Sequence, residues 1–341
     1  MRSDKKVFLG LENIAGIFTS LKKGFEQNGV HADFYSLNEH IFGYDTDKII
    51  SYSRNSFIRK FQKILLIVKL LFKYDYFIFD SGGTLFPGYK DIRLLRFFGK
   101  KTMVIFTGCD IRLPEKVEMY KWNPCRNCGD QYKAFVGCVL ALKPSLINTL
   151  ENNFDILVSA EEAAGSLNRK YHSTLFPVDI NKFSYIGVNP GTKLKILHAP
   201  SNPEYKGTAY INEAINRLRD ESEFEFIVKS NIKAEELYEE ISRADLVIDQ
   251  MLVGFYGLFS IESMAMGKPV VCYIREDILK NSPVDLPVIN ANPDTLYSVL
   301  KEILKDPSVL IEKGSQSRQY AEKYHDAAKI AKHYYELFER L

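Results

Sequence analysis

The chain has 341 residues, 46% of them hydrophobic and 26% charged, which is enough for two domains with sizeable cores and excludes a disordered tail or a disulfide-held miniature. No apolar run reaches the roughly 18 residues of a membrane span, because the greasy stretch from Ile64 to Phe72 is interrupted by Lys69. The formal charge of +2 hides a division: residues 1–185 hold 26 Lys/Arg against 19 Asp/Glu, and residues 186–341 hold 19 against 24, so the first half is the anion-facing one.

The chain opens on Arg2, Asp4, Lys5 and Lys6, a charged start without the long apolar region and small-residue cleavage signal of a secretory leader. The expectation is a cytoplasmic protein. Val7-Phe8-Leu9 reads as a first strand, followed by a glycine-containing turn and a helix from about Ala15 to Gln27. Further strands are expected at His31–Tyr35, Tyr76–Phe79, Thr102–Phe106 and Phe154–Val158.

Between residues 51 and 101 lie 11 Lys/Arg against three Asp/Glu. From Arg59 to Lys73 helical spacing sets cations beside an apolar stripe, which could touch anionic lipid at the inner face of the cell membrane or be buried against the sheet. Nucleic acid is not expected, since there is charge but no aromatic-basic reader pattern.

After Pro190-Gly191 a second series begins, with strands at Leu194–His198, Phe224–Val228, Leu246–Ile248 and Val270–Ile274. The alternation in both series is that of parallel βαβ construction. We expect two α/β domains, 1–185 and 186–341, joined through Asn181–Thr192, with packed helices in Glu312–Leu341 and the cleft between domains as the default ligand site.

The chemistry concentrates in Gly254-Phe255-Tyr256-Gly257-Leu258-Phe259-Ser260-Ile261-Glu262-Ser263-Met264-Ala265-Met266-Gly267-Lys268-Pro269-Val270-Val271, a loop, helix and strand in sequence. The glycines permit a compact turn, Ser260 can cap the helix, and free amides at the helix start can receive phosphate oxygens. Glu262, read as a first-turn residue, can accept sugar hydroxyls. Alternatively it serves only the helix dipole while Met264 and Met266 pack the domain.

This segment resembles the donor-binding domain of retaining glycosyltransferase family 4, whose signature ends Glu-Ala-Met-Ala-x-Gly-x-Pro-Val-Val; here Glu262 to Val271 match it closely. His198-Ala199-Pro200-Ser201-Asn202-Pro203-Glu204-Tyr205-Lys206-Gly207-Thr208 is similar to that family's strand-to-helix region, as are Asn13-Ile14-Ala15-Gly16 and Thr107-Gly108-Cys109-Asp110-Ile111-Arg112 to its cleft-lining stretches.

The resemblance implies a GT-B fold: two Rossmann-like domains facing a cleft, acceptor-side first and nucleotide-sugar-side second. It implies no cofactor, only a UDP- or GDP-sugar donor and a glycan or lipid-linked acceptor. Lys206 would neutralise the leaving diphosphate, Glu262 would bind ribose, Gly16 would let its loop approach the donor, and the Gly257, Leu258 and Phe259 amides would face phosphate. Retention would follow from front-side displacement, the departing phosphate helping to deprotonate the acceptor. The family's donor-sugar Glu falls here at Gly254, its frequent cleft His at Thr107 and its common Arg near Ser201.

Other residues leave alternatives open. Asp110 could orient an acceptor hydroxyl or stabilise positive character at the anomeric carbon, or it could cap a turn. His198 could contact the donor or cap its strand. Cys125 and Cys128, with Cys138 and either Cys109 or His172, could gather on zinc, but unligated thiols are the favoured reading and no metal is assigned. Two other functions compete: a catalytically reduced glycan-binding or complex subunit, suggested by Gly254, Thr107 and Ser201, and a sugar-nucleotide epimerase or hydrolase.

Overall fold

The computed structural model describes residues 4–39, 43–126, 128–135, 138–173, 175–191 and 193–341; Arg2 of the charged start and Thr192 of the expected linker lie outside the described residues. The chain divides into two compact units, one of Met1–Leu113, Cys138–Asp179 and Asp326–Leu341, the other of Pro114–Gly137 and Ile180–His325.

The first unit is built on a seven-stranded parallel sheet, in the order β3-β2-β1-β4-β5-β6-β7. Its strands are β1 (Val7–Leu11), β2 (Ala32–Ser36), β3 (Lys48–Ile49), β4 (Tyr76–Asp80), β5 (Lys101–Phe106), β6 (Ile156–Ser159) and β7 (His172–Ser173). β1, β4 and β6 are buried at every position, as the interior of a sheet covered on both faces requires. On one face, the helices Ser56–Lys73, Lys90–Phe97 and Lys143–Asn153 contribute Ile67, Leu70, Leu71, Ile92, Leu95, Ile147 and Leu150 to a core shared with Phe8, Phe77, Phe79, Val104 and Phe106.

The first helix runs Ile17–Gln27 rather than from Ala15, because Ala15 (φ 49°) and Gly16 (φ 81°) both have left-handed backbone. It packs against the last helix of the chain, Ala327–Glu339. Contact is close enough that a Cβ on Gly24 would lie 2.0 Å from the Ala327 carbonyl oxygen. Asn28 donates to the Ala328 carbonyl (2.7 Å), and the Tyr76 ring stacks on Phe338 at 4.6 Å. This apolar seam gives the final 16 residues to the first unit, against the expectation that everything after residue 185 is one domain.

The second unit carries a five-stranded parallel sheet ordered β12-β11-β10-β8-β9. Its strands are β8 (Leu194–His198), β9 (Phe224–Val228), β10 (Leu246–Ile248), β11 (Val270–Cys272) and β12 (Ile289–Asn290). The excursion 114–137 also belongs here. Trp122 meets the Tyr210 ring at 5.1 Å, the Arg275 guanidinium lies 4.1 Å over the Tyr120 ring, and the Gly129 amide donates to Glu204. The expected linker is part of this unit as well: the amides of Ile186 and Gly187 donate to the Met266 carbonyl, and buried Lys268 donates to the Gly187 carbonyl. Among the described residues no helix is long and apolar enough to cross a membrane.

Candidate functional site

In an open parallel sheet a ligand crevice forms where neighbouring strands lead to opposite sides. In the second unit that point lies between β8 and β10, and most of the expected donor-side residues converge on it.

β8 ends at His198, and the chain turns through Asn202, whose side chain accepts the Tyr205 amide (2.7 Å) and caps the short helix Pro203–Lys206. Gly207 (φ 79°) ends that helix and starts Thr208–Arg219. Lys206 is thereby held over the end of β10. Its ammonium donates to Asp249 Oδ1 (2.8 Å) and Gln250 Oε1 (2.7 Å). An ammonium has three donors, and the third has no partner among the described residues.

Asp249 is 1% exposed, and its other oxygen accepts from Ser260 Oγ (2.6 Å) and the Gly257 amide (3.3 Å). Burial pushes its carboxyl pKa up, but Lys206 and these donors outweigh it and hold the group below its usual range. The carboxylate thus stands at the start of the Leu258–Ala265 helix and occupies the Gly257 amide, which the family resemblance would give to phosphate. The amides of Leu258 and Phe259 remain without a hydrogen bond among the described residues. A cation with one free donor and two open helix-start amides form an anion-receiving edge.

Three readings change here. Ser260 is not the helix cap; Gly257 holds that position, and the Ser260 hydroxyl is spent on Asp249. Glu262 lies in the second turn, not the first, because the helix begins at Leu258; it is 6% exposed and accepts from the Tyr238 hydroxyl (3.1 Å). His198 is 1% exposed with both nitrogens engaged, Nδ1 on the Ile248 carbonyl and Nε2 on Thr208 Oγ1, each at 2.9 Å. The carbonyl fixes a proton on Nδ1, so Nε2 accepts from Thr208, and burial lowers the pKa to about 4. His198 ties β8, β10 and the next helix together and has no nitrogen left for a ligand.

Gly254 (φ 81°) fits glycine alone, since a Cβ there would lie 2.4 Å from Arg275 Cγ. The departure from the family's Glu at this position therefore has a local structural cause.

The first unit's switch point lies between β1 and β4. The Gly16 loop follows β1, and a Cβ on Gly16 would meet the Tyr44 ring at 2.5 Å. Asp80, at the end of β4, accepts the Ile14 amide (3.1 Å) and is 1% exposed. Ser81 Oγ lies 3.0 Å from Asp80 and 2.9 Å from Asp110. Asp110 also accepts the amides of Thr107, Gly108 and Ile111, so its two oxygens are spent on the turn. That is the turn-capping role, not a carboxylate free to take a proton from an acceptor. Asp80 escaped the sequence reading, being an ordinary strand-end residue there. Burial, and then the charge of Asp110, raise its pKa to about 8, so it is a neutral acid at pH 7.

The five cysteines form no disulfide, and among the described residues no group of three or more His, Cys, Asp or Glu is gathered to hold a metal.

No protein-family model matches the chain, and no curated protein matches it in sequence. Solved structures do match. The Anabaena protein HepE in complex with UDP-glucose is 13% identical over 99% of this chain and 100% of that one, with a TM-score of 0.62. A glycosyltransferase from Rickettsia africae is 11% identical over 99% of both chains, TM-score 0.66. Sucrose-phosphate synthase from Thermosynechococcus elongatus is 15% identical over 98% of both, TM-score 0.59. The chain accordingly has the GT-B architecture these proteins share, two α/β domains each built on a parallel sheet, with helices at the carboxy terminus.

Proposed function

We propose that this protein is a retaining glycosyltransferase that moves a sugar from a nucleoside-diphosphate donor to a glycan or lipid-linked acceptor, with the donor diphosphate held in the second unit. The observation that carries the reading is the edge between β8 and β10, where the free Lys206 donor and the Leu258 and Phe259 amides are open to an anion. The match to a structure that holds UDP-glucose supports it. In this reading Lys206 stabilises charge growing on the leaving phosphate, which lowers the barrier because that interaction strengthens as the bond breaks. Glu262, aligned by Tyr238, accepts the ribose hydroxyls. Asp249 and Gln250 aim the ammonium.

The replacement of the donor-sugar Glu by Gly254 favours a second reading, a glycan-binding or complex subunit with reduced turnover. Turnover across UDP- and GDP-sugars separates the two.

Lys206→Ala alone would leave Asp249 a buried, unpaired carboxylate, costing about 3–5 kcal/mol of stability irrespective of catalysis. The clean test is Lys206→Ala with Asp249→Asn, checked by circular dichroism and compared with Asp249→Asn alone. The double variant should turn over about 10²–10³-fold more slowly. Folded double variant with unchanged kcat and donor affinity overturns the role of Lys206. The anomeric configuration of the product, read by NMR, tests retention.

A further inference from the structure

The Ser56–Lys73 helix has two apolar stripes where a soluble α/β protein needs one. The inner stripe, Ile67, Leu70 and Leu71, is buried in the first unit's core. The outer one is Phe57, Ile58, Phe61, Ile64, Leu65, Val68 and Phe72, which at 100° per residue fall within an arc of roughly 120° that begins beside Leu71 and runs away from the core. These side chains stand in solvent: Phe57 and Phe72 are each 84% exposed, Phe61 60% and Leu65 54%. The Lys90–Phe97 helix, packed into the same core, ends in exposed Phe97 and Phe98.

A contiguous apolar surface of this kind marks a docking site. Charge identifies the occupant. Residues 56–73 contain five cations, Arg59, Lys60, Lys63, Lys69 and Lys73, and no carboxylate. Lys60 and Lys69 are exposed on the two flanks of the stripe. A second copy docked stripe to stripe would bring like charges together; an anionic surface neutralises them.

The helix is also fixed in place. Asn55 caps it by accepting the Phe57 and Ile58 amides, Lys63 donates to the Leu85 carbonyl in the loop after β4, and Lys73 pairs with Asp33 at 2.5 Å. Its outer face is therefore presented rigidly rather than free to roll inward.

We propose that the outer stripe of the Ser56–Lys73 helix seats this protein on an anionic lipid bilayer, with Phe57, Phe61 and Phe72 inserted at the headgroup boundary and Lys60 and Lys69 meeting lipid phosphates. Bilayer binding stands on the helix alone and is measured without donor or acceptor, so its failure is distinct from failure of the transfer reaction.

The test is co-sedimentation of the full chain with phosphatidylcholine vesicles and with vesicles enriched in phosphatidylglycerol. Binding should rise with the anionic lipid and fall at about 0.5 M salt, where screening is strong. Phe57→Ser with Phe61→Ser and Phe72→Ser should weaken it at least about ten-fold, and Lys60→Gln with Lys69→Gln on the order of thirty-fold. All five side chains are exposed, so circular dichroism should be unchanged. The proposal is overturned by no binding to anionic vesicles, by binding indifferent to lipid charge and salt, or by the cation variant binding as the parent does. It is equally overturned if the phenylalanine variant converts a dimer to a monomer at unchanged vesicle binding, which would make the stripe an interface between copies.

Discussion

Asp80 and His198 are both neutral at pH 7 because burial penalises their charged forms, yet they act on stability in opposite directions. For Asp80, raised to about 8, the unfolded chain ionises from about pH 4 upward while the folded one does not. The folded state therefore loses roughly 1.4 kcal/mol per pH unit between those values. For His198, lowered to about 4, the unfolded chain takes up a proton below about 6.5 and the folded one does not, so stability is lost as pH falls through that window. Asp80→Asn should flatten the decline toward pH 8, and His198→Gln the decline toward pH 4, as read from urea midpoints across pH. Parallel profiles for parent and variant would contradict the assignment. Neither effect was legible in the sequence. Asp80 ends an apolar strand as many aspartates do, and His198 stayed open between a donor contact and a strand-end cap because the Ile248 carbonyl and the Thr208 hydroxyl that occupy it come together only in the fold.

At the scale of elements, strands made of continuous apolar runs could be read directly, and Leu194–His198, Phe224–Val228 and Leu246–Ile248 were expected at the bounds they have. Lys48–Ile49, His172–Ser173 and Ile289–Asn290 were not, because two residues at a sheet edge carry no periodicity. The Leu258 helix was legible through glycine and proline punctuation, and the Lys206 helix through the family resemblance of His198–Thr208. Their shared counter-ion was not: nothing local marks Asp249 as the residue that binds Lys206, Ser260 and the Gly257 amide. Gly24 shows packing overruling propensity. Alanine is worth about 1 kcal/mol over glycine inside a helix, so Gly24→Ala should stabilise Ile17–Gln27 taken alone. In the protein its Cβ would enter the Ala327 backbone, which cannot move like a flexible side chain. We expect a net loss of about 1–3 kcal/mol, seen as a lower urea midpoint; a gain would mean the seam with Ala327–Glu339 is looser than its contacts imply.

For the whole molecule, βαβ alternation indicated two parallel-sheet domains but not the path of the chain through them. Domain order in sequence is inferred from where one series of strands stops and the next starts, and that rule does not detect a helix that returns. Ala327–Glu339 is amphipathic, like the helices before it, and only its partners show where it belongs: Tyr76, Lys101 and the Gly24 face, all in the first unit. Likewise 114–137, flanked on both sides by first-unit sequence, is held by Tyr210, Glu204 and Arg275 of the second. A cut at 185/186 should therefore yield two defective pieces. Fragment 1–185 would expose the Ile17–Gln27 helix face and the Tyr76 ring, while fragment 186–341 would carry the apolar side of Ala327–Glu339 without its seat and would lack 114–137. A first-unit chain made by joining residues 138–179 to 1–113 through a short linker, and 326–341 to 179 in the same way, restores every one of its seams. It should melt cooperatively and stay monomeric where fragment 1–185 aggregates, as followed by circular dichroism and size-exclusion chromatography. Should fragment 1–185 instead melt cooperatively at the temperature of the rejoined chain, the last helix would contribute no stability, and the seam at Gly24 would be a contact without energetic consequence.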